Sequence, residues 1–270
     1  MPEQPTWLPT EERREPLRRT FDSTADKYDA ARPEYPDELF DDLVALAELE
    51  PGHRLLEIGC ATGKATRPLL ARGFSVACVE LGAQLAEKAR QNLAGLPVTI
   101  HVEPFETWEG EAGAFELVYA ATAWHWIDPA VRYRKAHELL RTGGHLAFWN
   151  ALHAFPEGFD PFFTEIQQVY DAIGESYGEA WPPPPPEEAP DFSAEIEQSD
   201  LFEDIRVRRY VWERPYTADE YIALLETFSG HISMDAAKRD HLYEEIRTRL
   251  GNRRVRRHWY AILHVARRKG

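Results

Sequence analysis

Cysteine is scarce in this chain: of 270 residues only Cys60 and Cys78 carry thiols. Neither belongs to a Cys-x-x-Cys pair or a His/Cys cluster of metal-ligand spacing. A disulfide framework is therefore not expected, and no metal is expected either. Each thiol lies in an apolar stretch that reads as a buried strand or its end, which suits a reducing compartment. Long apolar runs are also missing. No segment approaches the ~18 apolar residues of a membrane helix. The polar, proline-containing stretch from Met1 to Arg19 lacks the apolar centre of a signal peptide. The expected location is the cytoplasm, without a membrane partner. Positive charge is in the minority, since 31 Lys and Arg against 46 Asp and Glu give a net charge of −15. A protein that follows a phosphate backbone needs the opposite sign, so nucleic acid is not an expected partner. The densest basic run, Arg253, Arg254, Arg256 and Arg257, with Arg267, Arg268 and Lys269 beyond it, reads as solvated strand ends.

The chain does have enough apolar residues for a folded core, at 43% hydrophobic and 12% aromatic,. Its length suits one large α/β domain, or one with a sizeable insertion. Residues 1–20 read as a flexible arm. The segment DELFDDLVALAELE places Leu39, Phe40, Leu43, Leu46 and Ala47 on one helical face, and Pro51-Gly52 stops it. Five short apolar strands follow, at Arg54–Ile58, Phe74–Glu80, Pro97–Val102, Phe115–Ala120 and His145–Trp149. Helices at 64–72, 84–93 and 129–140 lie between them, and this alternation predicts a doubly wound, mostly parallel sheet. The rhythm stops after Asn150. Phe159–Gly174 has helical spacing, and the proline run at 181–190 is extended. Strands are expected again at Ile205–Trp212 and near the C-terminus, with two helices between them. The expected organisation is a ligand-binding core with lid at 21–150, a cap insertion at 151–204, and a C-terminal part at 205–270 that completes the same sheet.

The chemistry concentrates in Leu55–Thr66, LLEIGCATGKAT. A strand ends in Glu57, a turn carries Gly59 and Gly63, and a helix begins. Glycines there allow unusual backbone angles and close approach of a ligand, and the helix start offers free N–H groups. The spacing is neither the G-x-G-x-x-G of a dinucleotide site nor the G-x-x-x-x-G-K-[ST] of a phosphate loop. Glu57 beside the turn repels phosphate and attracts an ammonium. Glu80, ending the second strand, can accept hydrogen bonds from both hydroxyls of a ribose. Glu106, beside Phe105, can receive an exocyclic amine, although Glu103 and Glu109 are close competitors. Three acids reading an ammonium, a ribose and an amino group fit S-adenosylmethionine.

On these residues the chain resembles the class I S-adenosylmethionine-dependent methyltransferases. Leu55–Thr66 resembles their first motif, Glu80 their ribose acid, Phe105-Glu106 their adenine position, and Ala120–Asp128 and Glu138–Asn150 their later core segments. Phe21–Pro36 resembles the lid helices of the small-molecule branch, the trans-aconitate and ubiquinone/menaquinone (methyltransferase type 11-like) enzymes. Ala61 departs from the pattern, standing where many members have glycine. The resemblance implies a Rossmann-like, seven-stranded sheet with its last strand antiparallel. It also implies in-line methyl transfer to a small-molecule acceptor, with S-adenosylhomocysteine as product, by a monomer or homodimer. The expected cofactor contacts are Tyr28, Arg32, Glu57, Gly59, Cys60, Ala61, Gly63, Glu80, Leu81, Phe105, Glu106 and Ala121, with Arg32 as salt-bridge partner of the cofactor's carboxylate. Trp124, His125, Trp126 and Trp149 are candidates for the acceptor pocket. The three at 124–126 read equally as core packing, and His125 is a candidate general base with no partner visible in the sequence. Cap aromatics, including Phe162, Phe163, Tyr170, Tyr177 and Trp181, serve either as helix core or as a wall of the site. A non-catalytic S-adenosylmethionine-binding or regulatory protein on the same fold is the alternative.

Overall fold

The computed structural model describes residues 17, 21–22, 25–176, 181–183, 185–189 and 191–270. Most of the arm at 1–20, together with Tyr177, lies outside these. The first helices are α1 (Ala25–Ala31) and α2 (Asp37–Leu46). The core then alternates β1 (Arg54–Ile58), α3 (Thr66–Ala71), β2 (Ser75–Glu80), α4 (Ala83–Asn92), β3 (Val98–Val102), β4 (Phe115–Ala121), α5 (Pro129–Leu139) and β5 (Leu140–Trp149). A short β6 (Leu152–Ala154), α6 (Phe162–Ala172) and α7 (Ser193–Gln198) precede β7 (Phe202–Tyr216). The chain closes with α8 (Ala218–Leu225), α9 (Ser229–Ile232), α10 (Ala236–Leu250) and β8 (Val255–Arg268).

The strands form one sheet in the order β3-β2-β1-β4-β5-β8-β6, with β7 pairing β8. All pairs from β3 to β5 are parallel, and β8 runs antiparallel to β5, β6 and β7. The eighth strand is β6, three residues long, which extends the edge of β8 beyond the end of β5. The two late strands are longer than their apolar patterns suggest. Val255–Arg268 and Phe202–Tyr216 pair over almost their whole length, so charged residues at the strand ends are carried by the ladder itself.

Alternation along each strand sends neighbours to opposite faces. Leu55, Cys78, Leu117, Tyr119 and Trp149 pack with Leu39, Phe40 and Leu43 of α2. Leu56, Val79, Val118 and Phe148 pack on the other face with Leu139 of α5. α5 starts cleanly because Asp128 accepts the Ala130 N–H and Pro129 occupies the first turn,. A third cluster is helical. Phe162, Phe163, Ile166 and Tyr170 of α6 pack with Tyr221, Ile222 and Leu225 of α8 and with Leu242 and Ile246 of α10. Ala31 of α1 joins that cluster. This cluster thus joins α1, α6, α8 and α10 to Tyr216, Val255 and Trp259 of the last two long strands.

The basic run near the C-terminus is paired rather than merely solvated. Arg253 meets Asp160, Arg254 meets Glu220, Arg267 meets Glu203 and Asp204, and Lys269 meets Asp200. Arg257 departs furthest from the sequence reading. It is buried, with its guanidinium 4.1 Å from the centroid of the Trp259 ring. No helix of the described residues is long and apolar enough to cross a membrane.

Candidate active site

The strand order reverses between β1 and β4, which is where an open α/β sheet has its binding crevice, beyond the carboxyl ends of the strands. A partly open recess lies there. Of the residues singled out from sequence, Tyr28, Arg32, Glu57, Gly59, Cys60, Ala61 and Ala121 line it. Sequence reasoning gave no site role to several other lining residues, among them Lys64, Thr122, Ala151 and Trp259. Thr122 carried no signal that could have found it. It adopts φ 57°, a rare conformation for a β-branched residue,. Its hydroxyl takes the Ala151 N–H at 3.2 Å and meets the Tyr35 hydroxyl at 2.9 Å.

Glu57 sits at the floor of the recess with 1% exposure. The Thr66 and Tyr119 hydroxyls both donate to its Oε2, at 2.6 and 2.7 Å. Its Oε1 accepts no hydrogen bond among the described residues. Burial drives the carboxyl up to about 7, against the two hydroxyls that favour the ionised form,.

Glu80, 6% exposed, ties two turns together. Its Oε2 accepts the Ala61 N–H and its Oε1 the Gly82 N–H, each at 2.8 Å. Burial raises its pKa, while these backbone donors pull it down. Each oxygen keeps a second lone pair for a ligand hydroxyl. The turn between them depends on left-handed backbone at Gly59 (φ 71°), Ala61 (φ 48°) and Gly63 (φ 89°). A Cβ on Gly63 would come within 2.8 Å of Leu93 Cδ1. That glycine is therefore required by packing as well as by backbone angle.

Arg32 follows α1 and is 9% exposed. Its Nε and Nη2 donate to the Thr227 hydroxyl and carbonyl, each at 2.8 Å. Its faces lie against the Tyr28 and Phe228 rings, 5.1 and 4.1 Å from their centroids. Among the described residues no carboxylate pairs with it, and Nη1 makes no hydrogen bond. Burial is the largest influence on this guanidinium and lowers its pKa. The recess thus has a buried cation at one wall and a buried acid at its floor, and no ion pair joins them.

The remaining sequence candidates sit further out. Leu81 is half-buried, just past β2. Phe105 is buried in the apolar cluster of α5, and Lys135 lies over its ring. Glu106 Oε1 accepts the Asp128 N–H at 3.2 Å. Trp124 is core: it stacks on Phe148 at 5.0 Å and meets Tyr133 edge-on. Trp149 is fully buried, stacked on Tyr119 and edge-on to Tyr35, so it backs the recess rather than lining it. Trp126 meets Phe21 edge-on. Burial pushes His125 down to about 3, so its imidazole is neutral and a weak proton acceptor near neutrality. Phe162, Phe163 and Tyr170 form the helical core, with Trp181 packed against Phe155 at 4.5 Å.

Residues 55–144 match the family of methyltransferase domains. An uncharacterised methyltransferase of Mycobacterium tuberculosis is 34% identical over 133 residues, covering 48% of this chain and 52% of the relative. The match therefore spans about half of that relative's length. In three dimensions the chain is similar to a type II methyltransferase from Anaeromyxobacter dehalogenans, with TM-score 0.62, 21% identity, and coverage of 87% of this chain and 97% of the other. It is also similar to phosphoethanolamine N-methyltransferase 2 of Haemonchus contortus in complex with phosphomonomethylethanolamine and S-adenosylhomocysteine. That likeness has TM-score 0.54 at 15% identity, covering 92% and 58% of the two chains. The sheet order, the glycine turn after β1 and the acid ending β2 accord with these likenesses: residues 55–144 match a methyltransferase domain, and the chain has the Rossmann-like fold of these solved methyltransferases.

Proposed function

We propose that the protein binds S-adenosylmethionine in the recess and transfers its methyl group to a small-molecule acceptor. The observation that carries this reading is the charge arrangement. Arg32 and Glu57 line one recess without pairing to each other. A zwitterionic α-amino acid group satisfies both, its carboxylate on Nη1 of Arg32 and its ammonium on Oε1 of Glu57. Glu80 then takes the ribose hydroxyls. The adenine lies past Leu81 toward Phe105 and Glu106.

When bound, the cofactor supplies a methyl group on a positively charged sulfur that leaves as a neutral thioether. The protein's residues align, desolvate and enclose. Tyr28 and Tyr35 form the lid side of the recess, and Thr122, Ala151 and Trp259 line it near the carboxyl ends of the central strands. His125 is too weak a base at about 3 to take a proton near neutrality,. An acceptor that attacks without help from His125, such as a carboxylate or a neutral amine, fits this arrangement best. The net charge of −15 favours a small molecule over a nucleic acid,. The two free, buried thiols suit the cytoplasm,.

Methyl-labelled S-adenosylmethionine, incubated with the protein and panels of small acids, amines and phenols, tests this. The expected result is label in one acid or amine, with stoichiometric S-adenosylhomocysteine. Transfer confined to phenols would overturn the account of the acceptor. Failure of the protein to bind the donor or its demethylated product would overturn the cofactor.

A further inference from the structure

Thr227 lies just past α8, 195 residues from Arg32 in sequence, yet among the described residues it supplies both of the hydrogen bonds Arg32 makes through its side chain. Its side chain is 0% exposed. The hydroxyl has a single proton, and that proton goes to the Leu224 carbonyl at 2.6 Å,. Toward Arg32 the hydroxyl oxygen is therefore left as an acceptor. The carbonyl beside it is a second acceptor, so one residue grips the Nε/Nη2 edge of the guanidinium. The Tyr28 and Phe228 rings fix the plane. Lys27 and Glu226, paired at 2.7 Å, tie the same lid helix to the same end of α8. Nη1 is the corner left over.

We infer that Thr227 is the positioning residue for Arg32: it aims the guanidinium into the recess before ligand arrives and, being neutral, leaves the positive charge undiminished for a carboxylate. An acid at this position would hold Arg32 as firmly but cancel the charge the ligand needs. This rests on the reading that Arg32 receives the cofactor's carboxylate. It gives the C-terminal helices a part in cofactor selection, because orientation fixed in advance is ordering that binding need not supply.

The test uses the full chain and two ligands that differ at one end. S-adenosylhomocysteine carries the amino-acid group; 5′-methylthioadenosine shares the adenosine and thioether but lacks the carboxylate and ammonium. In Thr227→Val the affinity for S-adenosylhomocysteine is expected to fall about tenfold, the scale of one lost charge-assisted hydrogen bond, with 5′-methylthioadenosine unchanged within about twofold. Thr227→Ser, which keeps both acceptors, restores wild-type behaviour. In turnover the KM for S-adenosylmethionine rises while kcat stays within about threefold. Thr227→Ala gives the same comparison should the valine variant fail to fold. Equal weakening of both ligands, or of neither, overturns the inference. Arg32→Met, which removes the charge while keeping an apolar stem, separates the two layers. If it also leaves the preference for S-adenosylhomocysteine intact, the carboxylate reading itself falls. If it erodes that preference while Thr227→Val does not, only the role of Thr227 falls.

Discussion

The N–H of Ala61 donates to Oε2 of Glu80 at 2.8 Å, across the gap between the turn after β1 and the end of β2. Ala61 reaches that position only by adopting φ 48°. The backbone angle that aims the N–H at Glu80 is one that an alanine adopts at a cost of ~1–2 kcal/mol.

Ala61→Gly removes that cost and adds about 0.5–1 kcal/mol of unfolded-state freedom. The balance is a gain of roughly 0.5–1 kcal/mol, or a rise in Tm of about 1–2 °C for a chain of this length. Thermal unfolding measures it. Cofactor affinity should be unchanged, since the N–H to Glu80 stays in place. A Tm several degrees lower would show that the methyl group packs in a way that outweighs the strain.

Gly63 behaves in the opposite way. It has φ 89°, and a Cβ there would sit 2.8 Å from Leu93 Cδ1 and 3.0 Å from its Cγ. Gly63→Ala combines left-handed strain with overpacking and should cost about 2–4 kcal/mol. Gly113 is the control, since it has φ 68° but no atom within 4 Å of an added Cβ. Gly113→Ala should cost only the strain, ~1–2 kcal/mol. Denaturant unfolding of both variants checks the difference, and equal costs would contradict the packing argument.

Glu57 makes stability depend on pH in an unusual direction. Its carboxyl is raised from 4.5 to about 7 in the folded protein, chiefly by burial. The folded state therefore holds the proton more tightly. The contribution favours folding at low pH and is lost as pH rises from about 4.5 through about 7,. Between pH 5 and 8 the wild type should lose about 2 kcal/mol relative to Glu57→Gln. Taking the difference cancels the opposite trend of buried histidines such as His231 and His264, both lowered to about 4. An ammonium placed on Glu57 lowers its pKa again, so cofactor binding near pH 6.5 should release a proton. Calorimetry in buffers of different ionisation enthalpy reads that release, and buffer-independent heats would argue against the ammonium contact.

Much of this architecture is visible in the sequence because the parallel core follows simple periodicity. Strand, glycine turn and helix alternate, and the acids ending β1 and β2 mark the crevice. What escapes is set by contacts between distant segments. Trp124, just past β4, reads equally as pocket or core, and only its stacking on Phe148 shows which; Trp149, at the end of β5, stacks on Tyr119. The hydrogen bonds from Arg32 to Thr227 join the end of α1 to the turn after α8, 195 residues later, and no local pattern encodes them. The short β6 exists only because β8 continues past the end of β5. Thr122 takes a backbone angle that its residue type argues against, held by the hydrogen bond from its own N–H to the Trp149 carbonyl at 2.7 Å.

Titration calorimetry of S-adenosylmethionine against the wild type and Glu80→Gln, with NAD as the competing cofactor, tests the central claim most directly. A glutamine offers one acceptor where Glu80 uses two oxygens on Ala61 and Gly82, and it sets an NH₂ against a backbone N–H. The account predicts micromolar-range binding of S-adenosylmethionine to the wild type, weakening by about tenfold or more in the variant, the scale of lost hydrogen bonds to a charged group. It predicts no measurable binding of NAD. A folded wild-type protein that binds NAD but not S-adenosylmethionine, or a Glu80→Gln variant that binds the cofactor as tightly as wild type, would contradict it.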